Sequence, residues 1–128
     1  MKKVLLGMLL SLPMSVFANE IMQFEGQCFV VDKDSKVEKC SMYVGNDDKN
    51  VMSVLKMATA VYYTENSLYC VVQPDCKSRL GTSESTLQSA KYYIRDGKTK
   101  QITTTAKEND WGCFKQTAGK LDVCGRVQ

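Results

Sequence analysis

The chain contains no histidine among its 128 residues, and this absence removes the base on which most nucleophilic catalysis depends. Serine–histidine and cysteine–histidine activation are both excluded. The sequence also has no Cys-x-x-Cys pair, no glycine-rich loop of the kind that cradles phosphate and no cluster with metal-ligand spacing. We therefore predict that the protein is not an enzyme and that it holds neither a metal nor a cofactor.

Two enzymatic alternatives use residue types that the chain does have. Disulfide exchange at residues 70 and 76 is disfavoured, because redox motifs use a closer spacing and a helix start that stabilises a thiolate. Glycoside hydrolysis needs paired carboxylates in an environment that shifts their pKa, whereas adjacent carboxylates in polar loops are typical of solvated turns. The carboxylate pairs in question are Asp47 with Asp48 and Glu108 with Asp110.

The N-terminal apolar run is too short to span a bilayer, which takes about 20 residues. It extends from Val4 to Leu12, follows two lysines and precedes Val16-Phe17-Ala18. This order predicts a signal peptide, residues 1–18, in preference to a membrane anchor or a buried helix. No cysteine follows the cut after Ala18, so we expect no lipid anchor. The Lys-Lys start favours a Gram-negative host, and we expect a periplasmic or secreted protein with no membrane insertion after signal removal.

Cleavage after Ala18 leaves 110 residues, which predicts a single domain, residues 19–128. It removes two lysines and no acid, so 15 basic residues face 14 acidic ones and the formal charge falls from +3 to +1. A nearly neutral domain argues against nucleic acid as the partner.

All six cysteines lie in this domain, and an even count in a small exported domain predicts a disulfide framework. Residues 24–45 are typical of a β-hairpin around the turn DKDSK. If the turn is centred on Asp34, residue i faces residue 68 − i, Cys28 lies opposite Cys40 and Val31 lies opposite Val37.

The C-terminal stretch, residues 111–127, predicts a second hairpin with its turn at Ala118-Gly119. Residue i then faces residue 237 − i, so Cys113 lies opposite Cys124. Gly119 is expected to supply the positive φ of a tight turn. The register also pairs Phe114 with Val123 and Lys115 with Asp122. The remaining bridge, Cys70 to Cys76, encloses a Pro-Asp turn.

The rest of the chain predicts short strands separated by turns. Residues 51–58 fit either a strand or a short helix, and residues 60–63 and 68–72 suit a hairpin with its turn at 64–67. Residues 90–105 predict a hairpin around Asp96-Gly97, and the Ser/Thr-rich residues 77–90 predict a long exposed loop. The fold class is therefore mostly β: a small antiparallel β-sandwich or barrel, with one short helix at most, held by three disulfides.

With no catalytic machinery predicted, the surface is the remaining source of function. In a strand each tandem tyrosine pair splits between the two faces, which leaves one ring of each pair to face outward. Outward aromatics anchor protein interfaces at low entropic cost, although packing across strands is the common alternative. The residues expected to bind a partner are Trp111, Asp110, Tyr62, Tyr63, Tyr92, Tyr93, Arg79 and Arg95.

The 113–124 bridge is expected to hold the corner Asp110-Trp111-Gly112 rigid, which lowers the cost of association. The alternative is that the bridge has a structural role only and keeps a small domain folded. We expect a protein partner, a hydrolase or a toxin. The most concrete version is an inhibitor or immunity protein against a cell-wall lytic enzyme, with residues 81–89 and the corner at its active site and the two arginines on its carboxylates. The alternative is an envelope-complex subunit that pairs through a strand edge.

Overall fold

The computed structural model of the protein describes residues 21–32, 34–67 and 77–127. The predicted signal peptide, the strand predicted at 68–72 and the Cys70–Cys76 bridge lie outside these residues. The described part is built from nine β-strands: β1 Met22–Val30, β2 Glu38–Asn46, β3 Asn50–Lys56, β4 Val61–Ser67, β5 Ser78–Gly81, β6 Gln88–Arg95, β7 Ile102–Thr103, β8 Trp111–Gln116 and β9 Asp122–Val127.

Eight of these strands close into one antiparallel barrel, so the barrel form of the predicted fold is the correct one. The strands are hydrogen-bonded in the order β5-β4-β3-β2-β1-β9-β8-β6, and β5 pairs with β6 to close the ring. The ninth strand, β7, pairs only with β6 among the described strands, at Ile94↔Thr103 and Arg95↔Ile102. Closure satisfies the strand edges that an open sheet would leave unpaired.

The first hairpin has the predicted disulfide but not the predicted register. Cys28 pairs in the ladder with Glu38, and Cys40 pairs with Gly26, two positions away from the expected alignment. The β1–β2 ladder ends at Cys28↔Glu38, whereas pairing with β9 on the other edge of β1 runs on to Val30, and the amide of Val31 continues that second ladder by donating to Asp122 O at 2.8 Å. The connection therefore spans residues 31–37. Diagonal neighbours on one face still approach closely enough for the Cys28–Cys40 bond, with Cα atoms 5.8 Å apart.

The C-terminal hairpin, β8 with β9, confirms the predicted register in full. Cys113 faces Cys124, and Phe114 and Lys115 face their expected partners. The two cysteines are bonded. The role assigned to Gly119 was wrong, because its φ is not positive. The amide of Gln116 donates to Leu121 O at 2.9 Å, which leaves a four-residue connection with no need for a left-handed residue. A Cβ at Gly119 would strike the Gln116 side-chain oxygen, so a larger residue there would displace that side chain.

Between the hairpins, one open alternative is decided and one prediction needs correction. The stretch left open as strand or helix is β3. The predicted turn at 64–67 is instead part of β4, because neighbouring β5 satisfies its polar side chains. Thr64 is buried opposite Leu80, and the side chain of Asn66 accepts a hydrogen bond from the Ser78 hydroxyl. A polar sequence can therefore form a central strand when its partner strand supplies hydrogen bonds.

Half of the predicted long loop at 77–90 is strand. It contains β5, a 3-10 turn at Glu84–Thr86 and the start of β6. Leu80 anchors this segment in the barrel interior, where its side chain is fully buried at 0% exposure. The hairpin predicted at 90–105 is present as β6 and β7, although β7 has only two residues and the longer partner of β6 is β8. No helix in the described residues is long and apolar enough to cross a membrane.

Side chains alternate between the barrel interior and its outer face. The interior cluster draws residues from all eight barrel strands: Phe24, Cys28, Cys40, Met42, Leu55, Tyr62, Leu80, Ala90, Phe114 and Val123. A second cluster lies on the outer face of β2, β3 and β4, around Tyr43 and Val54. A third, the outer cluster, consists of Phe29, Trp111, Cys113 and Cys124. Strands β8 and β9 therefore pack against a hydrophobic cluster on each face: the interior cluster on one side and the outer cluster on the other.

Candidate partner-binding surface

The Trp111 ring is buried and does not face a partner, which corrects the expectation of an exposed aromatic. Only 1% of the residue is exposed. Its ring meets Phe29 edge-on, with centroids 4.7 Å apart, and the Arg126 guanidinium covers it at 4.0 Å. Its indole Nε1 is buried and has no hydrogen-bond partner among the described residues. Trp111 therefore belongs to the outer cluster and supports the Arg126 guanidinium that is stacked on its ring.

Arg126 joins the outer cluster to the loop that follows β6. Its Nε and Nη2 both donate to Gln27 Oε1, at 3.1 and 2.9 Å. Its Nη1 donates to Gly97 O at 2.9 Å and to Asn109 O at 3.0 Å. The guanidinium therefore holds both ends of the segment between β6 and β8. The predicted register of the last hairpin, extended by two positions beyond Cys113 and Cys124, places Arg126 opposite Trp111, so the sequence contained this signal.

The Asp110 carboxylate also holds this segment. Its Oδ1 accepts from the amide of Gly97 at 2.9 Å, and its Oδ2 accepts from the amide of Lys107 at 2.7 Å. The residue was expected to touch a partner, but its carboxylate is occupied by the protein's own backbone. Asn109, which precedes it, adopts the left-handed conformation with φ 71°, a region that asparagine tolerates better than most residues.

Side-chain hydrogen bonds also hold the first half of the segment. Asp96 Oδ1 accepts from the amides of Lys98 and Thr99, both at 2.9 Å. These amides, Thr99 first and then Lys98, lower the pKa of the Asp96 carboxyl, and the nearby charge of Lys107 adds a smaller effect in the same direction. Lys100 turns inward, where its Nζ donates to Ser35 O at 2.7 Å and lies 5.0 Å from the Phe29 ring centroid.

Tyr93, Asp122 and Arg95 form a polar network beside the outer cluster. The Tyr93 hydroxyl donates to Asp122 Oδ1 at 2.5 Å and accepts from Arg95 Nε at 3.0 Å. Arg95 Nη1 also donates to Lys100 O at 2.8 Å. Burial, assisted by the hydrogen bond to Asp122, raises the pKa of Tyr93 from 10.0 to about 12. Arg95 was expected to pair with a partner's carboxylates, but its guanidinium is engaged within the protein.

The remaining predicted residues lie away from this segment. Both tandem tyrosine pairs split between faces as expected: Tyr62 is in the interior cluster and Tyr63 packs on the outer face. Tyr92 faces inward and meets the Phe114 ring at 5.3 Å. Arg79 pairs with Glu65 at 3.3 Å on the outer face of β4 and β5. The structure does not gather the predicted residues into one surface.

What the structure does present is the 96–110 loop, an exposed segment with a fixed backbone. Residues 104–109 are all exposed, as are Lys98, Thr99, Gln101 and Ile102. At its base lies an open cleft of about 610 Å³, lined by Gln27, Asp96, Gly97, Lys98, Lys107, Glu108, Asn109, Asp110, Arg126 and Val127. Its acidic and basic side chains are balanced, and the cleft is polar.

Three large hydrophobic side chains are exposed in the described part of the chain, and all three lie at the barrel end that carries this loop. Met22 begins β1 and is 56% exposed, Ile102 begins β7 and is 66% exposed, and Val127 ends β9 and is 54% exposed. Singly exposed apolar residues are common on protein surfaces. Their restriction to one end is informative, because the opposite end, with connections 31–37, 57–60 and 117–120, has none among its described residues.

Comparison of the chain with protein-family models, curated proteins and solved structures found no match.

Proposed function

We propose that the protein binds another protein with the end of its barrel that carries the 96–110 loop. The observation that carries this proposal is the combination of exposure and fixed backbone in that loop. Its side chains lie in solvent, while Arg126, Asp110 and Asp96 bond its main chain at several points. A segment already held in one conformation loses little entropy on association. The exposed side chains of Met22, Ile102 and Val127 add apolar area at the same end.

The disulfide between Cys113 and Cys124 supports this role through the outer cluster. The bond lies under Trp111 and Phe29, which support Arg126 and Lys100. Removing the bond would loosen the outer cluster, which supports the 96–110 loop through Arg126 and Lys100. In this proposal the bond supports the binding surface as well as the fold.

The most concrete form of the proposal is an inhibitor or immunity protein that acts on a cell-wall lytic enzyme. Export through the predicted signal peptide would place the protein in the periplasm or outside the cell, where disulfides persist. A rigid exposed loop on a small, inert scaffold suits insertion into an enzyme's cleft. Arg79 and Arg95 have internal partners, so the contacts of this interface come from the 96–110 loop itself.

The test is affinity capture with the purified, oxidised protein from envelope extracts of its own host and of competing bacteria. The captured protein is then assayed for hydrolysis of purified cell wall, with and without added protein. We expect an exported hydrolase to be retained and its activity to fall. Retention of no hydrolase, or a hydrolase whose rate is unchanged at saturating protein, would contradict the inhibitor role.

Matched variants locate the interface. Ile102→Asp places a charge in the proposed surface, whereas Ala118→Asp places the same charge at an exposed position on the opposite end of the barrel. We expect capture and inhibition to be lost with the first and kept with the second. Equal behaviour of the two variants would exclude this end of the barrel.

A second candidate function, a subunit of an envelope complex that pairs through a strand edge, is favoured by β7. This strand pairs with β6 alone among the described strands, and its Ile102 is exposed. Co-purification of a stoichiometric, non-enzymatic envelope protein would support this candidate over the inhibitor.

A further inference from the structure

A second cleft lies at the barrel end opposite the 96–110 loop, between the connections 31–37 and 57–60. Its volume is about 210 Å³, below the range of about 300–1,000 Å³ that is typical of sites for drug-sized ligands. It therefore suits a ligand of about side-chain size. The residues that line it are Val30, Asp32, Asp34, Lys36, Glu38, Met57, Thr59, Ala60 and Tyr62.

The floor of this cleft is the end of the barrel core. Met57 and Tyr62 belong to the interior cluster, and Val30 and Ala60 pack against it. The amide of Met57 donates to Ala60 O at 2.8 Å, which closes the turn between β3 and β4. An aliphatic group in the cleft therefore meets apolar side chains whose backbone is already fixed.

Tyr62 brings an unpaired hydroxyl to this floor. The residue is only 9% exposed, and its hydroxyl forms no hydrogen bond with a described residue. In the described part of the chain, the only fully buried side-chain nitrogen or oxygen without a partner is Trp111 Nε1. The Tyr62 hydroxyl therefore reaches open space, and the space that this residue lines is the cleft. It is available to accept a hydrogen bond from a ligand.

Three carboxylates, those of Asp32, Asp34 and Glu38, stand around the apolar floor. Asp32 Oδ1 accepts from the amides of Asp34 and Ser35 at 2.9 and 2.8 Å. Glu38 Oε1 accepts from the amide of Ala58 at 3.4 Å. The second oxygen of each of these two carboxylates has no partner among the described residues. The bonds therefore position both groups and leave one acceptor of each available.

The net charge around this cleft is negative. Residues 32–38 contain two lysines and three acids, so the formal charge of the stretch is −1. Of the described lining residues Lys36 alone is basic, and it is within ion-pair distance of none of the three carboxylates. Burial raises the pKa of Tyr62, and the charges of Glu38 and then Asp32 raise it further. The carboxylates therefore set the sign of the potential at this hydroxyl.

We propose that this cleft binds an alkylammonium ion, a small cation on an aliphatic stem, either as a free amine or as the side chain of a lysine. The stem packs on Met57 and the Tyr62 ring. The ammonium, which has three donors and no acceptor, donates to the open oxygens of Asp32 and Glu38 and to the Tyr62 hydroxyl. The site lies away from the 96–110 loop, so the inference goes beyond the proposed function and does not depend on it.

Carboxylates in turns also have a purely local use, as the bonds that Asp32 makes within its own turn illustrate. That use predicts no saturable binding. A ligand site predicts binding that needs both charge and stem, because an exposed ion pair alone is weak and a short stem alone buries little area.

The experiment is an NMR titration of the purified, oxidised, isotope-labelled protein at neutral pH, where amines are protonated. The probes are butylamine, ammonium chloride, which lacks the stem, and butanol, which lacks the charge. We expect butylamine to give saturable shifts at Met57, Ala58 and Tyr62. Ammonium and butanol are expected to bind about tenfold more weakly or less.

A fourth probe, lysine with both its α-amino and carboxyl groups blocked, distinguishes the two sources of the ligand. If it binds as butylamine does, the cleft takes a lysine side chain of another chain as well as a free amine. If butylamine binds and the blocked lysine does not, the ligand is a free amine.

Matched variants locate the site. Glu38→Gln removes a charge and keeps an oxygen for the Ala58 amide, and Tyr62→Phe removes the hydroxyl and keeps the ring. Each is expected to weaken butylamine binding by about threefold to tenfold. Glu108→Gln and Tyr63→Phe make the same changes outside the cleft and are expected to leave binding unchanged.

The inference is overturned if neither butylamine nor the blocked lysine binds saturably, or if butanol or ammonium binds as tightly as butylamine. It is also overturned if the shifts centre on the 96–110 loop, or if Glu38→Gln and Tyr62→Phe both bind as the unaltered protein does. Because the proposed protein partner binds at the other end of the barrel, its capture is a separate measurement, and the two proposals stand or fall independently.

Discussion

The guanidinium of Arg126 lies 4.0 Å from the centre of the Trp111 ring, and this stacked pair connects the barrel to its most exposed loop. Beneath the pair lie Phe29 and the Cys113–Cys124 bond. Above it, the same guanidinium binds the carbonyl oxygens of Gly97 and Asn109. The Arg126 side chain therefore links the disulfide-bonded hairpin of β8 and β9 to the solvent-exposed 96–110 loop.

Replacing Arg126 with alanine is expected to destabilise the protein and to release the loop. The change removes a cation–π contact and four hydrogen bonds from a charged donor, and we expect a loss of about 2–4 kcal/mol in the free energy of unfolding. Because Trp111 is the only tryptophan, its fluorescence should shift to the red and become accessible to iodide. Arg79→Ala removes a surface ion pair instead and should leave the emission unchanged. An unshifted spectrum in Arg126→Ala would contradict the stacking role.

The two described disulfides are expected to contribute similarly to stability but differently to binding. Their sequence separations are 12 and 11 residues, so the chain-entropy model assigns each about 3 kcal/mol. Cys28→Ser with Cys40→Ser should lower stability and keep partner affinity at a temperature where the fold persists. Cys113→Ser with Cys124→Ser should lower both. Urea unfolding and capture assays measure the two effects, and equal affinity in both double variants would refute the supporting role of the 113–124 bond.

The Tyr93 hydroxyl makes the protein sensitive to alkali. Its pKa is raised to about 12 from an ordinary 10.0, first by burial and then by the hydrogen bond to Asp122. A raised folded-state pKa means that the folded protein holds this proton more tightly than the unfolded chain does. The stabilisation is therefore complete below the unfolded value and is lost as pH rises through about 12.

Two measurements check this. NMR of labelled tyrosine rings should show Tyr93 ionising last or only on unfolding. Tyr93→Phe should cost about 1–3 kcal/mol at neutral pH, because Asp122 loses its donor while buried. Tyr63→Phe, on a partly buried ring elsewhere on the outer face, serves as the control and should cost less.

Gly26 is required by the close approach of β1 and β9. A Cβ at this position would strike the backbone carbonyl of Arg126 and lie 2.9 Å from Met42 Cε. Since backbone cannot rotate away, Gly26→Ala should destabilise by about 1–3 kcal/mol. Gly112→Ala is the matched change, because its Cβ would meet only the side chain of Tyr92, with the hydroxyl nearest at 3.1 Å, and no backbone atom among its nearest contacts. A thermal melt that ranks Gly112→Ala as the more damaging variant would contradict this account.

Local patterning predicted more of the fold than of the surface. The alternation and turn chemistry around Cys113 and Cys124 gave the right bond and register, because β8 and β9 stay paired with each other down to Lys115↔Asp122, beside the turn. The first hairpin gave the right bond with the wrong register: the β1–β2 ladder ends at Cys28↔Glu38, and β1 runs on to Val30 along β9, about a hundred residues away in sequence. The local pattern around the turn carries no signal for that long-range pairing.

The sequence also did not show which side chains of the candidate surface have internal contacts. Trp111, Arg95 and Asp110 are conspicuous in the sequence, but each is occupied by an internal contact: a ring stacked under Arg126, a guanidinium bound to Tyr93 and a carboxylate bound to backbone amides. The residues left free, Lys98, Ile102 and Lys107, look ordinary in the sequence. Which side chains remain available depends on how the loop folds back over the barrel, and that is settled by tertiary contacts.

The most direct test of the central claim is hydrogen exchange of the oxidised protein with and without its captured partner. We predict that binding slows exchange in residues 98–107 and at the ends of β1 and β9, with little change in the connections at 31–37 and 117–120. Protection confined to the opposite end of the barrel, with the 96–110 loop exchanging as fast as in the free protein, would contradict the account.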